Sequence, residues 1–124
     1  MTTETLKLVS LNVRAISNFR KRRAIFTWCR KRKADFMFLQ ETHSKNDTNN
    51  EWGTAIVMSH GGSNSCGVAI LFRKGVDCVI YTKILDLFGR YIILKAAIND
   101  KICILINVYA LNKDKDITFF SITY

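Results

Sequence analysis

Phe36-Met37-Phe38-Leu39-Gln40 is a short, mostly apolar run that ends on a carboxylate, Glu41, with no turn residue between them. Five or six residues are too few for a helix, and apolar side chains on both faces suit a strand covered on both sides. Phe36–Glu41 is therefore expected as a buried strand carrying an acid at its tip. The neighbouring elements have to be arranged around that strand.

Upstream, Leu6–Asn12 alternates Leu6, Leu8, Val9 and Leu11 with Lys7 and Ser10, which reads as a strand. Ser17 or Asn18 offers a helix N-cap. From Phe19 to about Lys33, Ile25, Trp28 and Cys29 recur at helical spacing with Phe26 beside them, and arginines and lysines fill the remaining face. Strand, helix and strand within some forty residues make a βαβ unit with parallel strands. Parallel strands end at the same edge, which brings Asn12 and Glu41 together. Ligands of open α/β sheets bind at that edge.

Downstream lies a polar stretch, Ser44–Gly53, then a strand at Thr54–Ser59 and a turn cluster at His60–Ser65. Further strands are expected at Gly67–Arg73, Cys78–Lys83, Tyr91–Ile98 and Ile102–Tyr109, with Asn99-Asp100 as a tight hairpin between the last two. Ile102–Ile106 is apolar on both faces and is expected to be covered on both sides. A helix is expected from about Asp114, with Ile117, Phe119 and Phe120 apolar. At 124 residues and 48% hydrophobic, the chain fits one domain with a real core, residues 1–124. No apolar run approaches the roughly 20 residues of a membrane span, and the first strand begins too early for a signal peptide, so an intracellular protein, nuclear or cytoplasmic, is expected. Cys29, Cys66, Cys78 and Cys103 form no C-x-x-C pair and read as reduced packing residues.

The net charge of +9 is concentrated in one segment. Arg20, Lys21, Arg22, Arg23, Arg30, Lys31, Arg32 and Lys33 are eight of the nineteen basic residues, and without them the balance is +1. The first four fall in the first turn of the expected helix, where cations oppose the macrodipole at some tenths of a kcal/mol each. That cost favours a phosphate-facing role over a plain solvated face. The second four sit at the C-terminal end, where cations are favourable, and need no ligand.

Three strand-end positions carry chemistry: Asn12, Glu41 and the pair Tyr109 and Asn112. A single carboxylate with amide and phenol neighbours suits Mg²⁺, which takes oxygen ligands and keeps several waters. From spacing alone the blander roles are the usual ones: an acid after an apolar run as the solvated end of a strand, asparagine as a turn residue and tyrosine as a strand terminus.

Taken together, SLNVR (Ser10–Arg14), DFMFLQETH (Asp35–His43), SHGGSNSCGVAILF (Ser59–Phe72), GRYIIL (Gly89–Leu94) and NVYALN (Asn107–Asn112) resemble the endonuclease/exonuclease/phosphatase superfamily. The nearest likeness is to the endonuclease domain of LINE-type (non-LTR) retrotransposons. The resemblance implies a deoxyribonuclease-I-like, four-layer α/β/β/α fold and a metal-dependent phosphodiesterase acting on DNA. It implies catalytic roles for Asn12, Glu41, Tyr109 and Asn112. Glu41, with Asn12 beside it, would hold Mg²⁺ (Mn²⁺ as the alternative), and no other small-molecule cofactor is implied. Arg14, Arg20, Lys21, Arg22 and Arg23 are the DNA-binding candidates.

Three departures stand out. Ala15 replaces a glycine common after N-V-R, and Leu111 replaces the proline of N-V-Y-A-P-N. The later G-D-F-N and S-D-H motifs do not occur in the 124 residues. The expectation is a domain truncated to about its first half, N-terminal and inactive as it stands, with a large apolar face left bare. The alternatives are a non-catalytic truncated product that at most binds nucleic acid through its basic helix and, less favoured, a family member acting on a phospholipid or inositol phosphate.

Overall fold

Two sheets and one helix form among the described residues. The computed structural model describes residues 5–16, 18–43, 54–59 and 67–109. In chain order the elements are β1 (Leu8–Asn12), α1 (Phe19–Lys31), β2 (Phe36–Gln40), β3 (Thr54–Ser59), β4 (Val68–Phe72), β5 (Cys78–Leu85), β6 (Tyr91–Ile98) and β7 (Lys101–Val108). The expected loop at 44–53, the turn cluster at 60–65 and the helix from Asp114 lie outside the described residues.

The βαβ unit forms as expected. β1 and β2 pair in parallel, with Leu8 opposite Phe36 and Asn12 opposite Gln40. Asn18 is the N-cap of α1, its Oδ1 accepting from the Lys21 backbone N–H at 3.1 Å. The helix stops at Lys31, two residues earlier than the pattern suggests, because Lys33 turns left-handed (φ 55°) and Ala34 N–H bonds back to the Cys29 carbonyl at 3.1 Å. The inward face of α1, Phe26 and Cys29, packs on Met37 and Leu39 of β2 and Ala69 and Leu71 of β4, with Val13 and Ile16 closing the end. Burial pushes the Cys29 thiol up to about 11, with nearby Arg32 pulling weakly the other way, so it is a packing residue.

The first sheet runs β1-β2-β4-β3, with β4 antiparallel to both β2 and β3. The second is an antiparallel meander, β5-β6-β7. Its last turn is a two-residue hairpin in which Asn99 and Asp100 both have positive φ (50° and 66°), the geometry of a primed turn that suits a right-twisted ribbon. The sheets stack face to face. Phe36, Val68 and Ile70 of the first meet Ile92, Leu94, Ala96 and Ile98 of the second, with Phe38, Leu105 and Tyr109 filling the layer. Each such side chain, fully buried, contributes about 1.5–3 kcal/mol. The layers are therefore α/β/β, an α/β arrangement matching three of the four layers expected.

The outer face of the second sheet corrects one expectation. Ile102, Ile104 and Ile106 are 59, 57 and 53% exposed, so β7 is covered on one side only among the described residues. Cross-strand rows such as Ile84–Ile93–Ile106 carry the apolar surface across the sheet. The bare surface is thus this outer face; the inner faces of both sheets are packed. β7 is also an edge strand within the described residues. A flat apolar edge without proline favours self-association. The 124-residue chain is expected to sediment as mixed oligomers at micromolar concentration. The double change Ile104→Lys with Ile106→Glu should shift it towards monomer, and a wild-type chain that stays monomeric would refute the expectation.

Candidate active site at the strand tips

Beyond Gln40 the backbone leaves the extended region. Glu41 and His43 both have positive φ (55° and 50°), flanking Thr42, which is fully buried. Non-glycine residues rarely adopt this conformation, and it persists only where neighbours hold it in place. Here they do so from both sides. From β1's extension, Val13 N–H donates to Gln40 O (2.9 Å), Ala15 N–H to Glu41 O (2.7 Å) and Ile16 N–H to Thr42 O (2.9 Å). From the other side, Thr42 N–H donates to Gly67 O (3.1 Å), and Gly67 N–H donates to Gly89 O (3.1 Å).

Gly67 is required at its position. Its φ is 119°, and a Cβ there would run into Thr42 Oγ1. The Gly89 turn is pinned in its own way. Asp86 is buried and receives the Arg90 Nε at 2.7 Å, while Ser59 Oγ donates to the Asp86 carbonyl. Burial raises the Asp86 carboxyl, but the hydrogen bonds and charge of Arg90 outweigh it and hold the carboxyl below its usual range.

The Glu41 carboxylate lies 3.7 Å from His43 Nε2, beyond hydrogen-bond reach, and no hydrogen bond among the described residues engages it. His43 Nε2 and Thr42 Oγ1 are buried atoms without a hydrogen-bond partner among the described residues. No cluster of three metal-ligating side chains occurs among the described residues. A carboxylate on a fixed tip that no hydrogen bond among the described residues engages, with His43 Nε2 3.7 Å away, fits an oxygen-loving ion that keeps most of its waters. It does not fit a closed protein cage.

The expected residues distribute as follows. Asn12 sits at the tip of β1 one register position short of Glu41, and its Oδ1 accepts from Arg14 N–H at 3.3 Å. Tyr109 follows β7, donates its N–H to Arg90 O at 2.7 Å and packs against the Val68, Ile70, Ile92 and Leu94 cluster, at the end of the sandwich where Val68 pairs with Gln40. Asn112 lies outside the described residues. Arg14 is exposed with φ 47°. The basic cluster divides. Lys21 Nζ donates to the Arg14 carbonyl (2.8 Å) and Arg22 to the Ile16 carbonyl (2.8 Å), so both staple the turn beside Glu41. Arg20 and Arg23 are exposed.

Sequence reasoning missed Asn107. It is 2% exposed, and its Nδ2 donates to Leu39 O (3.0 Å) and Ala69 O (2.8 Å) while its Oδ1 accepts from Gln40 Nε2 (2.8 Å). One side chain of β7 thereby fastens to β2 immediately before Glu41. The signal was present, since a polar residue closing Ile102–Ile106 on the inward register has to find partners.

The φ of 82° at Ala15 gives a physical reason for glycine in relatives. Ala15→Gly is expected to stabilise the chain by about 1 kcal/mol, and Gly67→Ala to destabilise it by about 2 kcal/mol or more, in urea unfolding. Equal effects of one sign would contradict the two backbone assignments. Asn107→Ala removes three buried hydrogen bonds and is expected to cost about 3 kcal/mol, whereas Asn12→Ala, at an exposed turn, should cost under about 1 kcal/mol.

No helix among the described residues is long and apolar enough to cross a membrane. Residues 9–115 match the model of the Endonuclease/Exonuclease/phosphatase family. The match runs from β1 past the end of β7 and so contains the whole arrangement around Glu41. The chain belongs to the endonuclease/exonuclease/phosphatase family.

Proposed function

We propose that this chain is the N-terminal part of a Mg²⁺-dependent endonuclease of the LINE-type retrotransposon branch, whose intact domain nicks DNA. The observation that carries the reading is the Glu41 carboxylate: fixed on a left-handed strand tip and unengaged by any hydrogen bond among the described residues. In this reading Glu41 holds the ion, with Mn²⁺ as the alternative. When bound, the ion supplies neutralisation of a phosphate oxygen and a polarised water. Asn12 uses its Oδ1 on Arg14 N–H, which leaves its Nδ2 to donate to a phosphate oxygen. The Tyr109 hydroxyl donates to a phosphate oxygen as charge develops there, and Asn112 supports that position. Arg14, Arg20 and Arg23 contact the DNA backbone, while Lys21 and Arg22 mainly hold the turn that presents Arg14.

Within these 124 residues no G-D-F-N or S-D-H sequence occurs. The reading therefore gives them metal and phosphate binding without the complete hydrolytic step. The second reading, a non-catalytic product that binds nucleic acid through α1, is favoured by the absence of any acidic residue from the helix.

The test has two arms. Supercoiled plasmid incubated with the chain and Mg²⁺ should show no nicking above background. Mn²⁺ binding, followed by the loss of the free-ion EPR signal, should weaken at least tenfold on Glu41→Ala. Robust nicking abolished by Glu41→Ala would overturn the inactivity. Mn²⁺ binding indifferent to Glu41→Ala would overturn the metal site.

A further inference from the structure

The outward face of α1 carries features that neither the fold nor the strand-tip site uses. Phe26 and Cys29 fill the core, so the opposite side of the helix faces away from it. Phe19 is 53% and Trp28 38% exposed. They border an open groove on that side, with the small side chains of Ala24 and Thr27 between them and Arg20, Arg23 and Lys31 around it. Nine residues of helix separate the two rings, a rise of about 13 Å and half a turn, so they stand on opposite flanks of the groove.

The aromatic rings and the cations are combined. The guanidinium of Arg23 lies 6.0 Å from the Phe19 ring centre, and that of Arg32 lies 3.8 Å from the Trp28 ring. α1 contains no acidic residue. The nearest carboxylate in sequence, Asp35, is committed to Arg73 (2.8 Å) and to the Lys7 N–H (2.9 Å). Arg20, Arg23 and Lys31 have no carboxylate partner among the described residues. Lys21 and Arg22 are explained by the turn they staple; these three are not.

We propose that this face is a stacking platform for single-stranded nucleic acid. A cationic surface with no acid in it selects a polyanion. Two exposed rings select one that offers flat π faces, and only unpaired bases do so. A duplex would use the cations and leave Phe19 and Trp28 idle. Arg32, stacked on Trp28, adds its charge beside the strand. The proposal deepens the nucleic-acid reading of the basic helix and rests on it; it is independent of the Glu41 metal site.

The experiment uses the 124-residue chain in EDTA, which removes the metal site from the outcome. Fluorescence anisotropy follows a labelled oligothymidylate of about twelve nucleotides, within the site sizes of single-strand binders. The matched duplex and poly-glutamate are the comparisons. Single strand is expected to bind more tightly than duplex. Trp28→Ala should weaken it about tenfold with an unchanged circular dichroism spectrum, while Trp28→Tyr should retain most of the affinity. Arg20→Ala with Arg23→Ala should flatten the log–log salt slope by about 1.4, at about 0.7 per cation. Duplex binding as tight as single strand, with Trp28→Ala silent, would overturn the stacking platform and leave a plain basic helix. Poly-glutamate binding as tightly as the oligonucleotide would overturn it in favour of an acidic protein partner. No binding of either nucleic acid would remove the basic-helix reading and this proposal together.

Discussion

The side chain of Asn107 crosses the sandwich and bonds two backbone carbonyls, Leu39 and Ala69, that are register partners in the opposite sheet. Apolar layers such as Val68, Ile70, Ile92 and Leu94 attract the sheets to each other but leave their sliding register loosely set, because hydrophobic contact is non-directional. A buried amide is directional. A displacement of one residue along β7 would carry Asn107 to the outer face and lose all three of its buried hydrogen bonds. Gln40 extends the same network, donating to Asn107 Oδ1 and to Ser10 Oγ (3.1 Å), so β1, β2, β4 and β7 are tied at one end. That end is where Asn12, Glu41 and Tyr109 lie, and the relative position of the three follows from this one network.

Past the network, the chain concentrates its unfavourable backbone. Arg14, Ala15, Glu41 and His43 all have positive φ within two facing turns. Neither turn would hold alone. Ala15 N–H on Glu41 O joins one left-handed residue to the other, and Lys21 and Arg22 close over the carbonyls of Arg14 and Ile16. The strain is distributed over mutually supporting turns. A fixed carboxylate loses little further freedom on taking up a ligand, which is the advantage of building a site this way.

Most of the architecture was legible because it is local. The alternation in β1, the helical spacing of Ile25, Trp28 and Cys29, and the Asn99-Asp100 turn each follow from a few adjacent residues. Even the convergence of Asn12 and Glu41 needed only the parallel pairing that a βαβ unit imposes. Three features were not legible, the first two for one common reason: each depends on what lies across from a residue in space. Ile102, Ile104 and Ile106 read as doubly covered because apolar identity marks a face as able to be buried without supplying the layer that buries it. Asn107 looked like an ordinary strand residue because its partners are 38 and 68 positions away. Asn12 was placed beside Glu41 with its own bonding partner unread; its Oδ1 is taken by a neighbour two residues on, as a local turn allows.

The basic helix shows how far an argument from cost can be carried. Four cations in a first helical turn are electrostatically unfavourable, and an unfavourable placement invites a functional explanation. For Lys21 and Arg22 a structural one suffices: both side chains reach back past the helix start and donate to carbonyls of a strained turn. Such charge-assisted bonds are worth about 1.5–3 kcal/mol, more than the dipole takes away. Among the described residues, Arg20 and Arg23 make no such bond to a carbonyl of that turn. These two border exposed aromatic rings, and Arg23 lies over Phe19 at 6.0 Å. Charge density in the sequence identified the segment. Only the direction of each side chain separates the cations that hold Glu41's turn from those left facing outward.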